Sequence, residues 1–226
     1  MRALMADDKG ITTNKNKAKY LIVVKMYSDT AFERVDYHFA GTIKQKVTFR
    51  DSTLTVLNGY YADFNDKGYI SSEGQYQQNK KEGSWYLYDD TAHAQFEYKY
   101  YKDSLLTIIN LDSLSKENKN IKTDTTGEKE AYYKDGESAF MKLITGNLDM
   151  NYLTENLNHG GNTRVRFVIN TKGRPEDIRL IKSSEYALDE EVLRVINLSK
   201  DWVPAFQGGK LVKAYRIQPI TFRLQE

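Results

Sequence analysis

Two rhythms of apolar and polar residues run along the chain. The first has a period of two. "YLIVVKMY", Tyr20 to Tyr27, is a β-branched run that predicts a strand. Beyond it, aromatic and polar residues alternate through "GYYADFNDKGYISSEGQY", Gly59 to Tyr76, and again through "GSWYLYDDTAHAQFEYKY", Gly83 to Tyr100. At an offset of 24 residues Gly59 meets Gly83, Tyr61 meets Trp85, Phe64 meets Tyr88, Glu73 meets Glu97 and Tyr76 meets Tyr100. A weaker copy lies earlier: Gly41, Ile43 and Phe49 match Gly68, Ile70 and Tyr76. A period in the twenties signals an array of one small unit. The alternation, punctuated by Asn-Asp-Lys-Gly and Asn-Lys-Lys-Glu-Gly turns, predicts stacked antiparallel hairpins.

The second rhythm begins after "YYKDG". "ESAFMKLITGNL" sets Phe140, Leu143 and Ile144 at helical spacing. In "TRVRFVINTKGRPEDIRLIKSS", Val165, Phe167 and Ile169 share one strand face and Arg164 and Arg166 the other, with a turn ending at Gly173 and a return strand over Ile178 to Ile181. "LDEEVLRVINL" places Leu188, Val192, Val195 and Ile196 on one helical stripe. Its acidic residues Asp189, Glu190 and Glu191 suit the positive end of the helix dipole. "KLVKAYRIQPITFRL" reads as one final strand. Its Pro219 cannot donate to a ladder, so the strand belongs at an edge or carries a bulge. The fold class is therefore α+β: residues 131–226 as helix-strand-strand-helix-strand with helices on one face of an antiparallel sheet, preceded by an all-β hairpin array over residues 20–114. Residues 1–19 are expected to be loose. Between residues 115 and 130, "SKENKNIKTDTTGEKE" has Ile121 as its one large apolar side chain and reads as a polar linker.

Composition narrows the function. With 226 residues, 40% apolar and 28% charged, the chain is an ordinary globular protein of one or two small domains. A net charge of +2 does not argue for nucleic acid. There is no cysteine, which removes disulfides, thiolate metal sites and a cysteine nucleophile. Histidines 38, 93 and 159 are scattered without ligand spacing, so neither a metal site nor a cofactor is expected. "NHGGN" and "FQGGK" lack the context of a phosphate loop. No catalytic residue is identified, and an enzyme is not expected. No apolar run approaches a membrane span. "MRALMA" has the small residues of a signal-peptide cleavage site without a full apolar region, and a loose start accounts for it equally well.

"NKKEGSWYLYDD" resembles the MORN-like repeats of bacterial proteins, a likeness covering about Asp36 to Asp103. From Lys134 to Leu224, "VRFVINTKGRPEDIRLIKSS", "ALDEEVLRVI", "WVPAFQGGKLVKAYRIQPITF" and an upstream "KDGESAF" together resemble the carboxy-terminal domain of TonB, the periplasmic energy transducer of Gram-negative bacteria, closest to the Bacteroidota type. The family's Tyr-Pro pair after the first helix is absent; "LDMNYLTENLNHGGN" stands there, which suggests a remodelled entry loop. The resemblance implies a protein of the periplasm or cell envelope. It also implies a sheet edge that pairs with an extended N-terminal segment of an outer-membrane transporter. "LVKAYRI", residues Leu211, Val212, Lys213, Ala214, Tyr215, Arg216 and Ile217, alternates as such an edge should. The long proline-rich spacer and membrane anchor that the resemblance implies for an energy transducer are not in these residues, so the domain serves docking alone or the anchor has been removed.

Structural roles are expected for Trp202 and Trp85 as buried anchors, Pro204 as the residue that stops the preceding helix, and Gly208-Gly209 as the turn into the last strand. An alternative is a scaffolding protein whose interaction surface is the Tyr-rich sheet around Tyr76, Tyr86 and Tyr100.

Overall fold

A computed structural model describes residues 1–39, 41–113 and 127–223. The chain forms two compact units, Met1–Ile121 and Lys122–Glu226.

The first unit is one ten-stranded antiparallel sheet. Its strands are β1 (Arg2–Asp7), β2 (Gly10–Ile11), β3 (Tyr20–Ser28), β4 (Ala31–His38), β5 (Ile43–Phe49), β6 (Leu57–Phe64), β7 (Ile70–Gln77), β8 (Lys80–Tyr88), β9 (Ala94–Tyr101) and β10 (Ser104–Asn110). From β3 to β10 each strand pairs with the next in sequence, as stacked hairpins require, whereas β1 lies between β3 and β2. The expectation of a loose start is thus corrected. β1 pairs Arg2 with Val24 through Ala6 with Tyr20, because "RALMA" supplies a partner for the otherwise open edge of the β-branched β3.

The 24-residue repeat is written in hydrogen bonds. The Leu57 amide donates to Asn79 Oδ1 at 2.6 Å, and the Lys81 amide donates to Asp103 Oδ1 at 2.6 Å. Asn79 N–H returns to the Leu57 carbonyl and Asp103 N–H to the Lys81 carbonyl. Asn65 and Asp89 each accept, through Oδ1, the amides two and four residues on. The expected Asn-Lys-Lys-Glu-Gly turn is displaced. The turn is Gln78-Asn79 (φ 51° and 67°), and its copy is Lys102-Asp103 (φ 48° and 71°). Positive φ at both central residues is the hairpin turn that matches strand twist, and Asn and Asp tolerate it. Lys80 to Gly83 therefore begin β8.

Ile43 and Ile70, equivalent in the weak copy, are both fully buried. Phe32, Val47 and Phe49 form a cluster capped by Leu54, Leu57 and Tyr61. Trp85, 6% exposed, lies over Gly74 and packs on Tyr61, Tyr76 and Tyr100 with ring centroids 5.6, 5.0 and 6.4 Å away. Its Nε1 donates to the Gln75 carbonyl at 3.1 Å. This array is consistent with a MORN-like repeat.

The second unit contains β11 (Tyr132–Tyr133), α1 (Glu137–Asn147), α2 (Met150–Asn156), β12 (Gly161–Ile169), β13 (Pro175–Lys182), α3 (Tyr186–Leu198), β14 (Trp202–Val203), β15 (Ala205–Gln207), β16 (Lys210–Val212) and β17 (Ala214–Phe222). Its main sheet has the order β13-β12-β17. Val165, Phe167 and Ile169 are fully buried, as are Leu188, Val192, Val195 and Ile196 of α3. Phe140 of α1 meets Phe167 at 6.5 Å between ring centroids.

Four expectations are revised here. The entry region holds a second helix, α2. Asp149 caps it by accepting the Tyr152 amide, and Leu153 and Leu157 bury its apolar side. The acidic residues of α3 do more than face a dipole. Asp189 is fully buried and accepts from Thr163 Oγ1 at 2.8 Å, from Ser183 Oγ and from the Ser184 amide, tying helix to strand. Pro204 does not stop α3, which ends at Leu198 with Ser199 as its cap, five residues before the proline. The expected linker is only partly described, residues 115–126 lying outside the described residues. Its end is ordered, since Lys129 exchanges two backbone hydrogen bonds with Phe206 (2.9 and 2.8 Å).

Candidate interaction edge

The expected final strand over "KLVKAYRIQPITFRL" is in fact two. Gly208 and Gly209, with φ of 55° and 78°, fold β15 back on β16 as a small hairpin pairing Phe206 with Leu211. Lys213 then breaks the run, and β17 starts at Ala214. The seven residues from Leu211 to Ile217 therefore do not form one edge. Leu211 and Val212 lie on the hairpin, and Ala214, Tyr215, Arg216 and Ile217 on the sheet. A Gly-Gly pair after an extended segment makes a hairpin turn locally, and the sequence pattern alone does not separate that from a turn into a long strand.

β17 pairs only with β12 among the described residues, in a register running from Ala214 with Ile169 to Phe222 with Gly161. Among the described residues its other side is open. An open antiparallel edge offers alternate backbone N–H and C=O groups to an incoming strand. Pro219 sits one residue past the middle of this register, opposite Arg164, and Gln218 Nε2 donates to its carbonyl at 3.0 Å. The two faces of β17 differ. Gln218 and Ile220 are buried, whereas Tyr215 and Ile217 are 72% and 56% exposed. Large side chains facing water beside an open backbone edge are what alternate-residue recognition of an extended segment uses.

Arg216 anchors the strand from its inner face. Its guanidinium lies 5.5 Å from the Trp202 ring, donates to Glu137 Oε2 at 3.2 Å and reaches the Ala131 carbonyl at 3.4 Å. Trp202 is 5% exposed, donates from Nε1 to Ser199 Oγ at 2.9 Å, and meets Tyr133, Phe140 and Phe167 at 5.2, 4.8 and 5.4 Å. The Trp202 main chain pairs with Tyr133 between β14 and β11, and its carbonyl crosses the hairpin turn at Gly173. Sequence reasoning placed Glu137 in the first helix but missed β11 and the bond from Arg216 to Glu137. The signal for β11, "YYKDG", is too short to show a period.

Lys213 pairs with Glu176 at 2.5 Å. The Lys213 ammonium lowers the Glu176 carboxyl below its ordinary range, and Glu176 raises Lys213 in return. A cleft lined by Lys129, Phe206, Val212 and Ala214 opens at the start of β17. The other candidate surface is more occupied. Tyr76 and Tyr100 pack their rings on Trp85, and the Tyr86 hydroxyl reaches Glu97 at 3.5 Å. Among the described residues no cluster of His, Cys, Asp and Glu side chains is arranged to hold a metal ion.

Residues 154–224 match the family model described as Gram-negative bacterial TonB protein C-terminal. The match supports the TonB C-terminal family for this region. It runs from within α2 through β17, so it contains the open edge and Trp202 and leaves α1 and the upstream "KDGESAF" outside. No curated protein and no solved structure matches the chain. A TonB-type domain is a protein-interaction module in transport, and among the described residues no helix is long and apolar enough to cross a membrane.

Proposed function

We propose that the TonB-like unit is a non-catalytic binding module of the Gram-negative periplasm or cell envelope. In this reading the open side of β17 takes up an extended N-terminal segment of an outer-membrane transporter as an added strand. One observation carries it: the region that matches the TonB family ends in a strand that, among the described residues, has one unpaired side and two exposed large side chains, Tyr215 and Ile217. Main-chain hydrogen bonds would supply affinity. Tyr215 and Ile217 would select alternate side chains of the segment. Arg216 and Trp202 hold the strand in place from behind and are positioning residues.

The test is a calorimetric titration of the full chain with a panel of peptides from transporter N-terminal segments. Binding that weakens about tenfold or more in an Ile217→Lys variant with an unchanged circular dichroism spectrum supports the reading. Absence of binding across the panel, with the chain folded, sinks it.

A further inference from the structure

Among the described residues the ten-stranded sheet also ends in an open edge, and it is of a different kind. β10 reads "SLLTIIN", Ser104 to Asn110. Among the described residues it pairs only with β9. Leu105, Leu106 and Ile108 are 48%, 65% and 55% exposed. Natural edges are guarded by charges, prolines, bulges or extreme shortness. At the far end of the same sheet, β2 is two residues long. β17 carries Arg216 and Pro219. β10 is seven residues long, without charge or proline, and its one guard is an irregularity between Leu105 and Thr107.

The order of its residues names the occupant. Read from either end, "SLLTIIN" runs polar, apolar, apolar, threonine, apolar, apolar, polar. An antiparallel copy related by a twofold axis through Thr107 would place Ser104 against Asn110, Leu105 against Ile109, Leu106 against Ile108, and Thr107 against Thr107. Each pair joins like with like, and with no charged residue in the strand the axis brings no like charges together. Cross-strand aliphatic and Thr–Thr pairs are favourable. A twofold contact demands this kind of self-complementarity.

We infer that β10 is a homodimerisation edge, which pairs antiparallel with β10 of a second copy about Thr107 and joins two sheets into one. One strand pair buries less than the roughly 1,600 Å² of a standard interface, so the dimer should dissociate on dilution.

The chain has no cysteine, so introduced ones are unambiguous. Sedimentation equilibrium of the full chain, from on the order of 1 to 500 µM, should show a shift from one to two chain masses. Ile108→Lys should abolish that shift while circular dichroism stays unchanged. Under mild oxidation Thr107→Cys should cross-link to its own copy at least about tenfold faster than Ser104→Cys, because residue 104 would lie about 20 Å from its symmetry mate. Both cysteine variants alter exposed side chains, so this comparison decides the matter even if Ile108→Lys fails to fold. A single chain mass at every concentration overturns the inference. So does a dimer indifferent to Ile108→Lys, or equal cross-linking at 104 and 107. None of these outcomes bears on peptide binding at β17.

Discussion

Gly74 lies directly beneath the indole of Trp85. A β-carbon built on Gly74 would overlap Cδ2, Cε2 and Cγ of the ring. The glycine is fixed by that close approach of its neighbour's side chain, on a strand whose other positions carry side chains. Gly74→Ala should destabilise the N-terminal unit by about 1–3 kcal/mol, the usual cost of overpacking. Thermal unfolding followed by tryptophan fluorescence checks this. An unchanged midpoint would show that Trp85 relocates without loss.

Gly173 is constrained twice. Its φ is +71°, and a β-carbon there would collide with the Trp202 carbonyl oxygen. Gly173→Ala should lower the stability of the C-terminal unit by more than about 1 kcal/mol, beyond what left-handed backbone alone costs. Chemical denaturation should show a lower midpoint with an unchanged slope.

The repeated bonds from Leu57 to Asn79 and from Lys81 to Asp103 make a paired prediction. Asn79→Ala should speed amide exchange at Leu57, and Asp103→Ala should speed it at Lys81. Each should cost more than about 1 kcal/mol, the net worth of a neutral bond, because alanine is also strained at these positive φ values and the Asp103 acceptor is charged. Hydrogen exchange at residue resolution reads both. Unchanged exchange at either amide would mean that its side-chain bond does not hold that turn.

Glu191 supplies a pH dependence. Arg194 and the Asp149 amide hydrogen-bond its carboxylate and hold it below its ordinary 4.5. A group depressed in the folded state contributes stability above its unfolded value and loses it as pH falls through its folded one. Urea midpoints measured from about pH 6 to pH 3 should therefore show Glu191→Gln less stable than the wild type near pH 6, with the gap closing toward pH 3. A gap independent of pH would assign the effect to packing.

The hairpin array was legible because its information is local: period-two side chains, glycine and Asx turns, and an offset of 24 residues. The stripe of α3 and the face of β12 were legible for the same reason. What escaped depends on partners distant in sequence. β1 has an ordinary composition and becomes a strand because β3 offers it an edge. Lys129 is ordered by Phe206, 77 residues away. The break at Lys213 separates two extended segments of similar composition, and only the pairing of Ala205 with Val212 reveals it. Asp189 looked like a dipole residue because the hydroxyls of Thr163 and Ser183, which it accepts from, are set by tertiary structure. At the candidate edge, Ala214 to Ile217 were readable from alternation, whereas the contacts through which Glu137 and Tyr133 brace them were not.

The central claim, an added strand on β17, is tested most directly by hydrogen exchange of the full chain with and without saturating transporter N-terminal peptide. The account predicts slower exchange at alternate amides of β17 between Ala214 and Phe222, with β10 and the edge strand β13 unchanged. Protection confined to β13, to the Tyr-rich sheet or to no strand at all would contradict it.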